Sequence, residues 1–341
     1  MNDGIVNVGV IGTGMIGSLH AGILSGRING ARVVAVMDLD GDRAAAAAAN
    51  CGGARVFADA GALIEAADVD AVLIASPDAF HAKGALACIA AGKPVLCEKP
   101  MATTRADAER ILRAEIAAGR RLVQVGFMRE YDRAHRALLD LLRSGDIGRA
   151  LRFRGIHMNP YRSSHATVAT VIVNSLIHDI HSARFMMGAE ITEAFVRWVP
   201  AIPKDARSAR YAIIHISFDS GAIGTLEWSG DSGYGYEVEV EITGENGAAG
   251  TTGVHSPILR QGGTRSQAIT PDWPDRFFDA YVDELAAWTG SVLAGQATGP
   301  SAWDGYMSLV VAEACIKSTE SGQPEPVAGM ERPAMYLPRG A

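Results

Sequence analysis

The chain of 341 residues is long enough for two domains, and its 48% hydrophobic and 20% charged residues are typical of a globular protein. Its net charge of −7 argues against a nucleic-acid surface, and it offers no polybasic patch for a membrane. No basic segment precedes the first apolar run, and the four cysteines form no CxxC pair. These features predict a cytoplasmic protein without structural zinc or disulfides.

The N-terminal part alternates short apolar runs with helical patterns, which is typical of βαβ units around a parallel sheet. The expected strands are 5–11, 33–37, 71–75, 94–97 and 122–126. The expected helices are 15–25, 42–50, 82–91 and 104–118. Residues 1–126 are therefore predicted to form an α/β domain with a doubly wound parallel sheet.

After Gly126 the pattern changes. Helices are expected at 132–144 and 171–187, with a strand at 151–157 between them. Strand-like runs then follow one another from 191 to 243 without intervening helices. The segment 253–274 is predicted to be irregular, and two helices are expected after it, at 275–293 and 303–321. Residues 127–341 are therefore predicted to form an α+β domain with a largely antiparallel, open sheet.

A glycine-rich motif follows the first expected strand and opens the first helix. Gly12 would make the tight turn, Gly14 would admit a pyrophosphate, and Gly17 would allow close helix–strand packing. Asp38 ends the second strand, where a carboxylate accepts hydrogen bonds from ribose hydroxyls and repels a 2′-phosphate. We therefore expect NAD as the cofactor, with NADP as the alternative because Arg43 lies near enough in sequence to accept a phosphate.

Two further features carry candidate catalytic groups. Lys99 follows a buried strand and precedes Pro100, which places an amine at the ligand-binding edge of the sheet. His178 lies in a helical pattern with Asn174 one turn before it, and an imidazole can take the proton of an alcohol during hydride transfer. The spacing of His178 and His181 would also suit two ligands of a metal ion, but no further ligand has suitable spacing, so we expect no metal site.

At these residues the chain resembles the glucose–fructose oxidoreductase and inositol dehydrogenase superfamily, and most closely its inositol dehydrogenase branch. The resemblance covers nearly the whole chain. It is carried by the motifs 12–17, 97–104, 122–129, 157–160, 176–180 and 299–306.

The resemblance implies an N-terminal Rossmann domain and a C-terminal α/β domain whose open sheet mediates homo-oligomers, tetramers or dimers. It implies that Lys99, His178 and Asn174 form the catalytic set. The implied cofactor-binding residues are Gly12, Gly14, Met15, Ile16, Gly17, Asp38, Ser76, Asp78, His81, Glu98 and Lys99. The implied substrate-binding residues are Arg129, His157, Asn159, Asn174, His178 and Tyr236, with Tyr234 as an alternative to Tyr236.

Position 174 departs from the family pattern, which has an aspartate there. An amide keeps much of the shape but cannot supply the charge that stabilises an imidazolium. The leading hypothesis is an NAD-dependent dehydrogenase acting on a ring secondary alcohol of a cyclitol or sugar. The alternatives are an enzyme that keeps NAD bound and oxidises its substrate transiently, as an epimerase or a glycoside-cleaving enzyme does, and a non-catalytic sensor of NAD or sugar.

Overall fold

The computed structural model describes residues 4–161, 166–205, 207–251 and 256–337. The chain forms two compact units. The first comprises the described parts of Met1–Met128, Tyr281–Leu309 and Met330–Ala341, and the second comprises those of Arg129–Ala280 and Val310–Gly329. The units are discontinuous in sequence, and the division into 1–126 and 127–341 stays a prediction.

The sheet of the first unit consists of parallel strands that alternate with helices. Its strands are β1 (Val6–Ile11), β2 (Ala31–Met37), β3 (Arg55–Phe57), β4 (Ala71–Ile74), β5 (Val95–Cys97) and β6 (Val123–Val125). Its helices are α1 (Met15–Gly26), α2 (Gly41–Asn50), α3 (Ala60–Glu65), α4 (His81–Ala90) and α5 (Arg105–Ala118). The strand order β3-β2-β1-β4-β5-β6 is that of a Rossmann sheet, which confirms the predicted class.

Strands β4 and β5 consist only of apolar residues because helices cover both faces of a parallel sheet. Every residue of β4, β5 and β6 is buried. Side-chain caps mark three of the helix starts: Asp40 accepts hydrogen bonds at the start of α2, Asp59 accepts one at the start of α3, and Thr104 accepts one at the start of α5. The sequence analysis did not identify β3 or α3, which are short and offer little hydrophobic periodicity.

The second unit is built on a mixed sheet. Its elements are α6 (Arg133–Ser144), β7 (Ala150–Met158), α7 (Val168–Val171), α8 (Ile177–Met187), β8 (Ile191–Val199), β9 (Tyr211–Phe218), β10 (Ile223–Ser229), β11 (Glu237–Gly244), β12 (Ala248–Gly250), β13 (Ile258–Gln261) and β14 (Thr264–Gln267). Helices α9 (Trp273–Leu293) and α10 (Ala302–Ser321) are divided between the units, and β15 (Glu325–Pro326) completes the sheet. The strand order is β12-β11-β7-β10-β9-β8-β15, and the pairs are antiparallel except β7 with β10, so the predicted largely antiparallel sheet is confirmed.

One face of this sheet is buried and the other is open. In β9 the residues Ala212, Ile214, Ile216 and Phe218 are buried, whereas their neighbours are half-buried or exposed. This period-two alternation is what one covered face requires. Helix α8 contacts β7 and β10 and forms part of the cover.

Two expectations for the second half need correction. The region 253–274 is not wholly irregular, because β13 and β14 pair as a hairpin whose tip is Gly262-Gly263 with positive φ at both residues. Such a turn suits a two-residue hairpin. The expected helix at 171–187 is interrupted by a π-helical turn at Ile172–Leu176, which lies between α7 and α8.

Among the described residues, no helix is both long and apolar enough to cross a membrane.

Candidate active site

The glycine-rich loop joins β1 to α1 in the first unit. Gly12 has φ +90°, and a Cβ there would lie 2.4 Å from the backbone nitrogen of Ser76. A Cβ at Gly17 would lie 2.0 Å from the carbonyl oxygen of Gly12. Both positions therefore require glycine. Gly14 differs because a Cβ there would meet nothing within 4 Å, which leaves a space that a bound group could enter.

The N-terminus of α1 carries the features of an anion site. Gly14 is the N-cap and supplies no side-chain cap, and the first turn contains no acidic residue. The backbone N–H groups of that turn and the positive end of the helix dipole favour a phosphate. Met15 is 78% exposed and Ile16 is half-buried at the same end. The loop and helix therefore fit a pyrophosphate.

Asp38 is held in place at the end of β2. Its Oδ2 accepts hydrogen bonds from the backbone N–H of Thr13 at 2.7 Å and from the Thr13 hydroxyl at 3.1 Å, and its Oδ1 accepts one from the backbone N–H of Asp40 at 2.9 Å. Partial burial acts to raise the pKa of Asp38, but these hydrogen bonds outweigh it and lower the pKa. Asp38 is therefore a fixed carboxylate next to the glycine loop.

Arg43 is engaged by two carboxylates. Its Nη2 lies 3.4 Å from Asp38 Oδ1, and its Nε lies 3.3 Å from Asp40 Oδ2. A guanidinium placed between two carboxylates has much of its charge compensated locally. Arg43 is therefore a weaker binding partner for a 2′-phosphate than an isolated arginine would be.

Lys99 lies directly after β5, on the segment Glu98-Lys99-Pro100, and the Lys99–Pro100 peptide is cis. Glu98 is buried, with Oε1 2.8 Å from His20 Nε2 and Oε2 accepting the Lys99 backbone N–H at 3.1 Å. Burial acts to raise the pKa of Glu98, but His20 and Lys99 outweigh it and lower the pKa. Glu98 is therefore an internal carboxylate that holds the backbone of Lys99.

Ser76, Asp78 and His81 follow β4 in the same unit. Asp78 opens a short 3₁₀ turn and is half-buried. His81 is buried, and its two ring nitrogens contact the carbonyl oxygens of Pro100 and Ser76 at 2.8 and 2.7 Å. Both ring nitrogens of His81 thus contact backbone carbonyl oxygens.

A buried polar network lies in the second unit. Arg129 donates from Nη1 to Asp179 Oδ1 at 2.6 Å, and Asp179 Oδ2 lies 2.7 Å from His157 Nδ1. The other imidazole nitrogen of His157 lies 3.3 Å from the Tyr236 hydroxyl. These four side chains are all buried. The network brings three of the predicted substrate-binding residues together and adds Asp179.

The network is strongly charged. Burial acts to raise the pKa of Asp179, but Arg129 and His157 outweigh it and lower the pKa to about 2. Burial raises the pKa of Tyr236 to about 12, against the opposing effect of Arg129. The group therefore contains a fixed carboxylate, a fixed guanidinium and a neutral phenol.

Asn159 and Tyr234 lie near the ends of the same sheet. Asn159 is half-buried, and its side-chain Nδ2 donates to the Ser229 carbonyl at 3.3 Å. Tyr234 is exposed, and its hydroxyl donates to Glu237 at 2.7 Å. Of the two alternatives in the sequence analysis, Tyr236 therefore belongs to the buried network and Tyr234 does not.

The π-helical turn contains Asn174, and α8 contains His178. Asn174 is exposed, whereas His178 is buried. Ser175 accepts a hydrogen bond from Trp228 Nε1 at 2.9 Å, which ties the turn to β10. Single π-helical turns are frequent at functional sites, which agrees with the predicted role of Asn174 and His178.

The predicted site residues fall into two groups by unit. The first unit holds Gly12, Gly14, Met15, Ile16, Gly17, Asp38, Ser76, Asp78, His81, Glu98 and Lys99. The second holds Arg129, His157, Asn159, Asn174, His178 and Tyr236. The described part of the chain contains no group of three or more His, Cys, Asp or Glu side chains arranged to hold a metal ion.

Both halves of the chain match family models. Residues 6–127 match the oxidoreductase family with an NAD-binding Rossmann fold, and residues 140–328 match the C-terminal alpha/beta domain of the same oxidoreductase family. The chain belongs to the glucose–fructose oxidoreductase and inositol dehydrogenase family. The predicted resemblance is confirmed.

Individual relatives are similar over almost their full length. An inositol 2-dehydrogenase of Rubrobacter xylanophilus is 46% identical over 320 residues, which are 93% of this chain and 92% of the relative. The structure of myo-inositol dehydrogenase from Lactobacillus casei in complex with NAD(H) and myo-inositol superposes with a TM-score of 0.93 at 32% identity, covering 98% of this chain and all of that one. A scyllo-inositol dehydrogenase of the same organism gives a TM-score of 0.90 at 25% identity, covering 96% of this chain and all of that one.

Proposed function

We propose that this protein is an NAD-dependent dehydrogenase that oxidises a ring secondary hydroxyl of a cyclitol or sugar of the inositol type. The observation that carries the proposal is the full-length similarity to the Lactobacillus casei enzyme, whose structure contains NAD(H) and myo-inositol. The buried network of the second unit supports it, because a polyol needs several fixed donors and acceptors.

The proposed NAD site consists of the glycine loop, the N-terminus of α1 and Asp38. Gly14 and the uncapped helix end would hold the pyrophosphate, and Asp38 would accept the ribose hydroxyls. When bound, NAD supplies the acceptor for a hydride from a carbon that bears a hydroxyl. NAD is favoured over NADP because Asp38 is ionised and because Arg43 is shared between Asp38 and Asp40.

Lys99 and His178 take the proposed roles in proton handling. The ammonium of Lys99 would orient the substrate hydroxyl, and His178 would take its proton as the hydride leaves. Asn174 cannot stabilise the resulting imidazolium by charge. In the serine-protease triad, an amide in place of the supporting carboxylate lowers turnover about 10⁴-fold.

The buried network is proposed to bind the hydroxyl groups of the substrate. Both carboxylate oxygens of Asp179 bond to Arg129 and His157. Asp179 therefore orients these two side chains and does not take the place of the aspartate that the family has at position 174. Arg129 and His157 would then present donors in a fixed arrangement, with Tyr236 and Asn159 completing the set.

The test is NADH formation, followed by absorbance, with purified protein, NAD and a panel of inositols, pyranoses and amino-cyclitols. The expected result is turnover with at least one inositol, lost in Lys99→Met and His178→Ala while NAD still binds by calorimetry. Asn174→Asp is the matched variant for the departure from the family pattern. Turnover that survives either Lys99→Met or His178→Ala contradicts the proposed roles.

The amide at position 174 also supports a second candidate, in which NAD stays bound and oxidises the substrate only transiently. Cofactor that survives purification, with substrate converted but no net NADH, would favour this candidate. A sensor of NAD or sugar would bind both ligands and convert neither, and Asn174→Asp would then create a dehydrogenase where none existed.

A further inference from the structure

Two buried histidines in the first unit bond to the segment that carries Lys99. His20 comes from α1 and is 0% exposed, and His81 opens α4 and is 1% exposed. Histidines buried to this degree are uncommon unless hydrogen bonds satisfy them. Each directs one ring nitrogen to a residue next to Lys99, His20 to Glu98 and His81 to Pro100.

His20 acts on the N-terminal side of this segment. Its Nε2 lies 2.8 Å from Glu98 Oε1, and the other carboxylate oxygen accepts the backbone N–H of Lys99 at 3.1 Å. Since an ionised carboxylate only accepts, Nε2 of His20 donates. The Nδ1 atom of His20 has no hydrogen-bond partner in the described chain, so the hydrogen bonding of the ring goes to Glu98.

The packing around Glu98 leaves it little freedom. A Cβ at Gly126 would lie 3.0 Å from the Glu98 carboxyl carbon, so the carboxylate fills the space beside that glycine. The ring of Tyr281 packs edge-on against His20, with the ring centroids 5.4 Å apart. The carboxylate that holds the Lys99 backbone is therefore fixed by shape as well as by hydrogen bonds.

His81 acts on the C-terminal side. Its Nδ1 lies 2.8 Å from the carbonyl oxygen of Pro100, and its Nε2 lies 2.7 Å from the carbonyl oxygen of Ser76. Ser76 in turn lies against the glycine loop, because its backbone nitrogen is the atom that a Cβ at Gly12 would meet at 2.4 Å. One imidazole thus connects the residue after Lys99 to the turn that supports the glycine loop.

We propose that His20 and His81 are positioning residues that clamp the backbone on both sides of Lys99 and fix it relative to the nucleotide-binding loop. The inference rests on the proposed function, which gives Lys99 a role in orienting the substrate hydroxyl. Both histidines act through the backbone and Glu98. A small displacement of the Lys99 ammonium would matter, because misplacing a catalytic group by about 1 Å can cost about 10²-fold in rate.

The test compares His81→Leu, which removes both ring-nitrogen contacts, with His81→Gln, which keeps one donor group, and with His20→Gln. The control is Tyr336→Phe, which removes a buried hydrogen bond to Glu115 in the same unit. Each protein is assayed for kcat and KM with NAD and the best inositol of the panel. Hydrogen–deuterium exchange is measured on the peptide spanning 97–102.

The clamp predicts that His81→Leu lowers kcat by about 10²-fold, from the cost of misplacement, and His81→Gln by less. Exchange in the 97–102 peptide should quicken in the histidine variants and stay at the wild-type rate in Tyr336→Phe. Unchanged exchange overturns the proposal, as does a kcat that falls only in proportion to lost thermal stability. If the wild type turns over no member of the panel, the proposed function fails, and the exchange rates still decide whether the clamp exists.

Discussion

Replacing Asp179 by asparagine tests the buried charge network of the second unit. Asp179 Oδ1 accepts from Arg129 at 2.6 Å, and its Oδ2 lies 2.7 Å from His157 Nδ1. An asparagine keeps the shape but loses the charge, and its NH₂ group would face a donor. The guanidinium of Arg129, 2% exposed, would then be buried without its counter-charge.

The expected cost follows from that burial. Removing one partner of a buried ion pair destabilises a protein by about 3–5 kcal/mol. Part of this cost depends on pH: the pKa of Asp179 falls from 3.8 to about 2 in the folded protein, and each unit is worth about 1.4 kcal/mol, so the titrating part is about 2 kcal/mol. The remainder comes from the lost hydrogen bonds and the facing donor.

The sign of the pH dependence is fixed by the direction of the shift. A carboxyl group with a lower pKa in the folded state stabilises the protein above its unfolded pKa, and that stabilisation is lost as the pH falls through the folded pKa. The contribution of the Asp179 carboxyl to the difference in unfolding free energy between wild type and Asp179→Asn should therefore be constant near neutrality. It should shrink as the pH falls from about 4 to about 2.

The assay is urea unfolding followed by tryptophan fluorescence across this pH range, with Glu245→Gln as control. Glu245 pairs with Arg149 at 3.0 Å on the surface of the same unit, where 62% of the arginine side chain and 47% of the glutamate side chain are exposed. Exposed pairs contribute little, so the control should unfold like the wild type. A stability loss in Asp179→Asn no larger than in the control, or one that grows as the pH falls from about 4 to about 2, would contradict a stabilising role for the Asp179 carboxylate.

Four further substitutions have defined outcomes. Gly17→Ala should abolish NAD binding and lower the melting temperature, because its Cβ would lie 2.0 Å from a backbone oxygen. Gly14→Ala should melt at the wild-type temperature and weaken only the binding of NAD, because its Cβ would meet no protein atom within 4 Å. Calorimetry measures NAD binding in both variants. Asp38→Ala should raise KM for NAD and lower the preference for NAD over NADP, and an unchanged ratio of kcat/KM for the two cofactors would contradict its proposed role. Tyr336→Phe should destabilise the protein by about 1–3 kcal/mol in urea unfolding, because buried Glu115 loses a donor, while leaving kcat and KM unchanged.

The parts of the fold that follow from local pattern were predictable from the sequence. The glycine spacing predicts which positions need glycine, because the loop, its helix and its strand are adjacent in the chain; the contacts of Gly12 and Gly17 agree with it. The apolar runs of β4 and β5 predict buried parallel strands for the same reason. Each of these features depends on residues only a few positions apart.

Other parts depend on contacts between distant residues and were not predictable. Asp179 bonds to residues 50 and 22 positions away, and nothing in the sequence around it names Arg129 or His157 as its partner. His20 and Glu98 are 78 positions apart. The β13–β14 hairpin was missed although its Gly262-Gly263 turn was visible, because all residues of both strands are exposed and show no hydrophobic alternation.

The π-helical turn at Ile172–Leu176 makes the start of the helix around His178 tolerant of a change in length. A turn with i→i+5 bonding accommodates about one residue more than an α-helical turn. Deleting one residue there would let the backbone relax into regular α-helix, and the side chains beyond it would keep nearly the same direction about the helix axis. Deleting one residue from the regular helix α8 would instead rotate every side chain beyond the deletion by about 100°. A homologue that lacks the extra residue can therefore present its imidazole in the same direction.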